Sequence, residues 1–257
     1  MLESEKNFNP QELEGNKRLI EVENFLVEPE SNYDSLIREN RSRSTCSIDL
    51  NKDENREAYF SSYSEFLIDG YNTYKSLIEK PEDTRDDYDK ENILYWETLK
   101  SKIAGKILID LGAGEEKNDL RNLANELGAT TYVRVDAFNP WTGEGSQYNT
   151  DTKKDLSKGE MIGETQIVTI KDDMLDFLSR LPEDQRICFV INGITEDIAA
   201  VPAYHRKLLH EIERVLSPGN IVFGKNSTVL RISHGLSFFK NLSPYSKRDE
   251  IFEKIVE

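Results

Sequence analysis

Cysteine, histidine and long apolar runs are all scarce in this chain, and each scarcity closes off a class of chemistry. Two cysteines among 257 residues, Cys46 and Cys188, stand far apart without a CxxC pair or a Cys/His cluster. That excludes a disulfide framework and a thiolate zinc site. Cys188 lies inside an apolar run and reads as a small core residue. Such usage suits a reducing compartment, and the cytoplasm is the expected location. The three histidines, His205, His210 and His234, share no spacing with carboxylates that suggests a metal site. No Ser-His-Asp or Cys-His arrangement is legible. Apolar runs extend over only a few residues, too short to span a bilayer. The N-terminus, MLESEKNFNPQELEG, lacks the basic-then-apolar order of a signal peptide. Bases are outnumbered, 33 Lys and Arg against 48 Asp and Glu, for a net charge of −15. With no basic stripe and no interleaved aromatics, the surface points away from nucleic acid as a partner. The acidity reads first as solubility.

Apolar residues make up 37% of the chain and charged residues 32%, so part of it is expected to be solvated rather than packed. Three regions are distinguishable. Residues 1–57 form an acidic, weakly apolar leader. A short helix is expected around Leu19–Leu26, while EPESNYDS and ENRSRSTCSIDLNKDEN read as loop or disorder. Residues 58–104 form a helical extension. There Phe60, Tyr63, Leu67, Tyr71, Tyr74 and Ile78 recur at spacings of three and four on one helix face, which ends at Pro81 and the acidic run EDTRDDYDKE. A second helix carries Ile93, Trp96, Leu99 and Ile103. The aromatic stripe reads as core; the alternative is that Tyr59, Tyr63, Tyr71 and Tyr74 cap a substrate pocket. In residues 105–257 strands and helices alternate. Strands are expected at Ile107–Ile109, Thr130–Val135, Gln166–Ile170, Ile187–Ile191 and Ile221–Phe223, with one more near Ile251–Val256. Helices are expected at Leu120–Leu127, at Met174–Leu181 and from Ala203 to the helix-ending Ser217-Pro218-Gly219. The alternation predicts an α/β fold with a doubly wound, mostly parallel sheet, because parallel neighbours need helical crossovers. Residues 138–165 read as a polar connection longer than a usual crossover loop, either an insertion at a pocket rim or a surface elaboration.

The most informative stretch is Lys106 to Ala137. An apolar run delivers Asp110 and breaks at Gly112 and Gly114; a helix follows, and a second apolar run ends on Asp136. Glycines let backbone approach a ligand closely, and a strand–turn–helix–strand unit with acids at its strand ends suits a nucleoside. A dinucleotide fold wants a third glycine three residues on, where this chain has Lys117 preceded by Glu115 and Glu116. Two acids there would repel a pyrophosphate, which counts against a nicotinamide-dependent oxidoreductase.

ILIDLGAG, residues 107–114, resembles the first motif of the class I S-adenosylmethionine-dependent methyltransferases: apolar strand, acid, one residue, Gly-x-Gly. The likeness extends over Lys106–Gly224. It implies that Gly112, Ala113 and Gly114 lie against the methionine and ribose part of S-adenosylmethionine. Asp110 would orient that turn and contact the amino-acid portion, directly or through water. Asp136 would accept hydrogen bonds from both ribose hydroxyls. After the third expected strand, Asp173 would read the adenine amino group, with Asp172 as the lesser candidate, and Met174 would pack on the ring. Asn192 and Gly193, after the fourth, fall at the reacting edge, and HEIERVLSPGNIVFG resembles the family's later helix, turn and fifth strand.

Methyl transfer from a sulfonium asks mainly for alignment, with a base in some members. Candidate catalytic or acceptor-contacting residues are Asn192, Glu196, Asp197, Tyr204 and His205. His205 titrates near neutrality but opens a helix among polar residues, where an exposed histidine is the simpler reading. Asp172, Asp173 and Asp176 form a carboxylate group that a helix start attracts for dipole reasons alone. Asn192-Gly193-Ile194-Thr195 lacks the Asn/Asp-Pro-Pro-aromatic sequence of enzymes that methylate nucleobase amines. The expected activity is methyl transfer to a small molecule or a protein side chain. The alternative is a binding or regulatory module that kept the fold and lost the activity.

Overall fold

Near-continuous apolar runs build strands that are buried on both faces. The computed structural model describes residues 32–43, 63–113, 120–136, 160–183, 185–194, 200–225, 227, 230, 237–243 and 249–255. In chain order the elements are α1 (Asp34–Arg43), α2 (Tyr63–Glu79), a 3-10 turn (Glu82–Thr84), α3 (Asp87–Ile103), β1 (Ile107–Leu111), α4 (Arg121–Glu126), β2 (Thr131–Asp136), β3 (Glu160–Ile162), β4 (Thr165–Lys171), α5 (Met174–Ser179), β5 (Ile187–Val190), α6 (Pro202–Val215), β6 (Ile221–Lys225), β7 (Phe239–Asn241) and β8 (Asp249–Lys254). The strands form one sheet in the order β3-β4-β2-β1-β5-β6-β8-β7. The five central strands are parallel, while β3 and β8 pair antiparallel to β4 and β6, and β7 pairs antiparallel to β8. The expected doubly wound, mostly parallel α/β sheet is what the chain forms.

Alternation along each strand divides the core into two halves. Leu108 on β1, Tyr132 on β2, Ile167 on β4 and Val190 on β5 join α2, α3 and α4 on one face. Ile109, Val133, Val168 and Phe189 join Tyr33, Ile37, α5 and α6 on the other. The chain leaves β1 for α4 on the first face and leaves β5 for α6 on the second. The connections from these neighbouring strands therefore diverge, which opens a crevice at their carboxyl ends.

Several expectations change. Residues 34–43, whose two ends fall in segments read as loop or disorder, form α1. Its Tyr33 hydroxyl donates to Glu211 Oε1 at 2.6 Å, and Asn40 Oδ1 accepts from the Val201 N–H at 3.1 Å. Ile37 is buried between them, so two polar anchors seven residues apart dock a helix whose apolar face is too sparse to announce itself. Residues 160–162, at the end of the segment read as connection, form the edge strand β3. Among the described residues the tail carries a second strand besides the expected one: β7 is only three residues long and lacks the apolar alternation that would announce it. On α2 the buried stripe is Leu67, Tyr71, Tyr74 and Leu77; Ile78, assigned to that face, is exposed. Tyr71 and Tyr74 pack with Trp96 in the core rather than over a pocket. The helix expected around Leu19–Leu26, together with Tyr59 and Cys46, lies outside the described residues.

Candidate functional site

Four consecutive strands, β4, β2, β1 and β5, end at the same edge of the sheet, and the sequence-derived candidates sit at their tips. β1 ends in Asp110 and Leu111, and Gly112 then adopts φ +77°, a backbone that a Cβ would strain. The Gly112 and Ala113 N–H groups both donate to the Val135 carbonyl, at 2.8 and 3.2 Å. The turn is thereby folded back onto the end of β2. A Cβ on Gly112 would collide with Ile194 Cδ1 and lie 3.5 Å from Met174 Sδ. Gly112 therefore brings the turn after β1 against the segments after β4 and β5, and the three meet at one point.

Asp110 is buried, and its Oδ2 accepts from the Tyr132 hydroxyl at 2.5 Å. That oxygen of Tyr132 also accepts from the Leu120 N–H at 3.3 Å, so one phenol links the β1 acid to the start of α4. Arg134, equally buried, stands beside Asp110 in the β1–β2 register. Tyr132 and Arg134 were not among the expected site residues. The signal for both was present: a polar side chain inside a strand buried on two faces must find a polar partner.

Asp136 ends β2 in register with Lys171 and is buried, with its carbonyl accepting from the Asp172 N–H at 3.0 Å. Beyond β4, Asp172 and Asp173 separate in role. Asp172 forms a buried ion pair with Arg180, and its Oδ1 accepts from the Asp173 N–H at 3.0 Å. Asp173 caps α5 by accepting from the Leu175 N–H at 3.0 Å and also accepts from the Tyr204 hydroxyl at 2.8 Å. Met174, the next residue, is buried against the Gly112 turn. The helix start thus accounts for one hydrogen bond of Asp173, and α6 for another.

Asn192 follows β5 and is 9% exposed; Gly193 takes φ +69° and leads to Ile194. Of the catalytic candidates, Tyr204 is buried and bonded to Asp173. His205 is buried as well, at 6% exposure, and not the solvated helical histidine that its polar neighbours suggested. The reason is that the buried face of α6 begins at Tyr204 and His205 and continues through Leu208, Leu209 and Ile212. Gly114, Lys117, Glu196, Asp197 and His234 lie outside the described residues. Among the described residues, no helix is long and apolar enough to cross a membrane.

No family model and no curated protein matches this chain. Solved structures similar to it include the N-methyltransferase NodS of Bradyrhizobium japonicum in complex with S-adenosylhomocysteine, at 15% identity and a TM-score of 0.40, covering 71% of this chain and 98% of that one. A proposed RNA methyltransferase from Pyrococcus horikoshii is 15% identical, with a TM-score of 0.37 over 73% of this chain and 98% of that one. The antibiotic-resistance methyltransferase Kmr is 12% identical, with a TM-score of 0.37 over 63% of this chain and 92% of that one.

Ile194, Arg180, Tyr132 and Arg134 are described residues of this edge that the sequence did not mark as site residues. Asp172 and Arg180 stand on either side of the six-residue α5, so no single element's periodicity links them, and Ile194 looks like any other apolar residue. Only the convergence of three loops at Gly112 gives Ile194 a place in the site.

Proposed function

We propose that the chain is an S-adenosylmethionine-dependent methyltransferase whose cofactor lies across the carboxyl ends of β4, β2, β1 and β5. The observation that carries this reading is the order of groups along that edge: Asp173 and Met174, then Asp136, then Asp110 with the Gly112 turn, then Asn192. A ribose needs an acceptor pair, an adenine ring an apolar wall, and the chain between them a turn without side chains. Asp136, Met174 and Gly112–Ala113 supply these in the sequence a nucleoside would meet them. The fit is also physical at Gly112, where a positive φ and tight packing exclude a Cβ. Asp110, whose carboxylate accepts from the Tyr132 hydroxyl, is assigned to orient the turn and to contact the amino-acid portion of the cofactor.

The bound sulfonium supplies an activated methyl group and its own leaving group. The protein's share is to orient the acceptor and exclude water. Asn192, at the tip of β5, is the described candidate best placed to meet the acceptor, with Glu196 three residues beyond its Gly193. Tyr204 is spoken for by Asp173, so a direct role as base is not assigned to it. The acceptor is proposed to be a small molecule or a protein side chain. In support, the Pro-Pro-aromatic sequence of nucleobase amine methylation is missing after β5 and the net charge is −15.

Calorimetric titration with S-adenosylmethionine and, separately, with NAD tests the cofactor. Saturable binding of the sulfonium without binding of NAD is expected; failure of any adenosyl ligand to bind would overturn the assignment. Incubation with methyl-labelled cofactor and a cell extract, divided into small molecules, protein and RNA, then reads the acceptor class. Label confined to RNA would correct it, and binding without label in any fraction would favour a regulatory module.

A further inference from the structure

One oxygen of Asp173 is gripped twice. Oδ1 accepts from the Leu175 N–H at 3.0 Å and from the Tyr204 hydroxyl at 2.8 Å. The first donor belongs to the helix that Asp173 caps, the second to α6. Asp173, Leu175 and Tyr204 are all buried, and α5 and α6 pack together on the same half of the core. Two donors from different elements on a single oxygen determine how the carboxyl group is turned, and with it where Oδ2 stands. They also determine its sense. Only an oxygen can accept from both donors, so any group replacing the carboxylate must keep oxygen at that position.

We propose that Tyr204 is the positioning residue that sets how Asp173 meets the edge of a bound purine. The inference rests on the reading of this edge as an adenosyl site in which Asp173 Oδ2 accepts from an exocyclic amine; what it adds is the hold of Tyr204 on Oδ1. A purine with a 6-amino group is then matched, and one with a 6-keto group places oxygen against oxygen. Tyr204 removes the freedom that would let the carboxyl group turn away from that conflict. Its role in nucleobase choice passes through Asp173; it touches neither the ligand nor the reacting atoms.

Asp173→Asn carries the sharpest consequence. With Oδ1 still claimed by Leu175 and Tyr204, the amide must present its NH2 where Oδ2 stood, offering a donor to the purine edge. The preference should then reverse. The probes are S-adenosylhomocysteine and its deaminated counterpart S-inosylhomocysteine, titrated calorimetrically into the full chain. For the wild type the adenosyl compound should bind at least about tenfold tighter, because an unmatched polar contact is costly. Asp173→Asn should bind the inosyl compound the tighter of the two. Tyr204→Phe should lower adenosyl affinity about three- to tenfold while changing inosyl affinity less than about twofold; thermal unfolding of each variant verifies that it is folded. A merely structural tyrosine would weaken both ligands alike, and that result would overturn the proposal. Equal binding of the two compounds by the wild type would overturn it too, while leaving the cofactor assignment standing. Binding of neither by the wild type would overturn the cofactor assignment itself, and this inference with it.

Discussion

At the scale of single residues, two glycines of the sheet edge resist substitution for different reasons. Gly112 has φ +77°, and a Cβ there would collide with the flexible end of Ile194 and make ordinary contact with Met174. Gly112→Ala should cost about 1–2 kcal/mol of left-handed strain, and pairing it with Ile194→Val should recover little, since relief of the contact leaves the strain. Gly224 lacks the positive φ, but its Cβ would collide with the Ile191 carbonyl oxygen, a backbone atom that cannot rotate away. That carbonyl belongs to the β5 end, whose Ile191 N–H donates to Phe223 O at 2.8 Å. Gly224→Ala should therefore destabilise more than Gly112→Ala, a ranking that urea unfolding measures directly. Asp136→Ala addresses function rather than folding. Loss of a buried two-hydrogen-bond contact should weaken S-adenosylhomocysteine binding at least about tenfold, or about 1.5–3 kcal/mol. Unchanged affinity in a folded variant would remove Asp136 from the ribose role.

Among elements, α5 shows how a helix of six residues is held. It is too short to be stable on its own, and three ties secure it: the Asp173 cap, the Tyr204 bond to that cap, and the buried Asp172–Arg180 pair that closes the turn from behind. Asp172→Ala would strand the Arg180 guanidinium in the core, with an expected cost of about 3–5 kcal/mol in unfolding free energy. A loss below about 1 kcal/mol would mean that water reaches Arg180. Elements announced by periodicity were legible in the sequence: β1, β2, β4, β5, β6, α2, α3, α5 and α6 all bury apolar patterns. Those held by isolated polar contacts were not. The α1 helix depends on Tyr33 and Asn40, β3 and β7 are three residues long, and none of these carries a repeat that a window can detect. The site divides in the same way. Backbone motifs such as the Gly112 turn and strand-end acids could be read, whereas Tyr132, Arg180 and Ile194 enter through contacts between segments distant in sequence.

For the molecule as a whole, the aromatic half of the core makes stability sensitive to alkali. Burial, with the Glu126 carboxylate beside it, pushes the Tyr71 phenol from 10.0 up to about 12. Burial and the hydrogen bond to Glu97 raise Tyr74 as well, and burial raises the Cys188 thiol. Each group is easier to ionise in the unfolded chain, so the stabilisation is fully present below the unfolded values and is lost as pH climbs through the folded ones. Unfolding free energy should hold up to the normal thiol range and fall from about pH 9–10 toward about pH 12. Tyr71→Phe should flatten the upper part of that decline, and an unaltered profile would show that Tyr71 does not drive it. The same fold orders its functional edge through the divergence of α4 and α6 from neighbouring strands, a property of topology rather than of any one side chain. The decisive measurement is a crystal structure grown with S-adenosylhomocysteine. The ribose hydroxyls should lie on the Asp136 carboxylate, the purine edge toward Asp173 with Met174 against the ring, and the homocysteine along the Gly112–Ala113 turn. A ligand bound anywhere else, or no ligand at saturating concentration, would contradict the assignment of this edge.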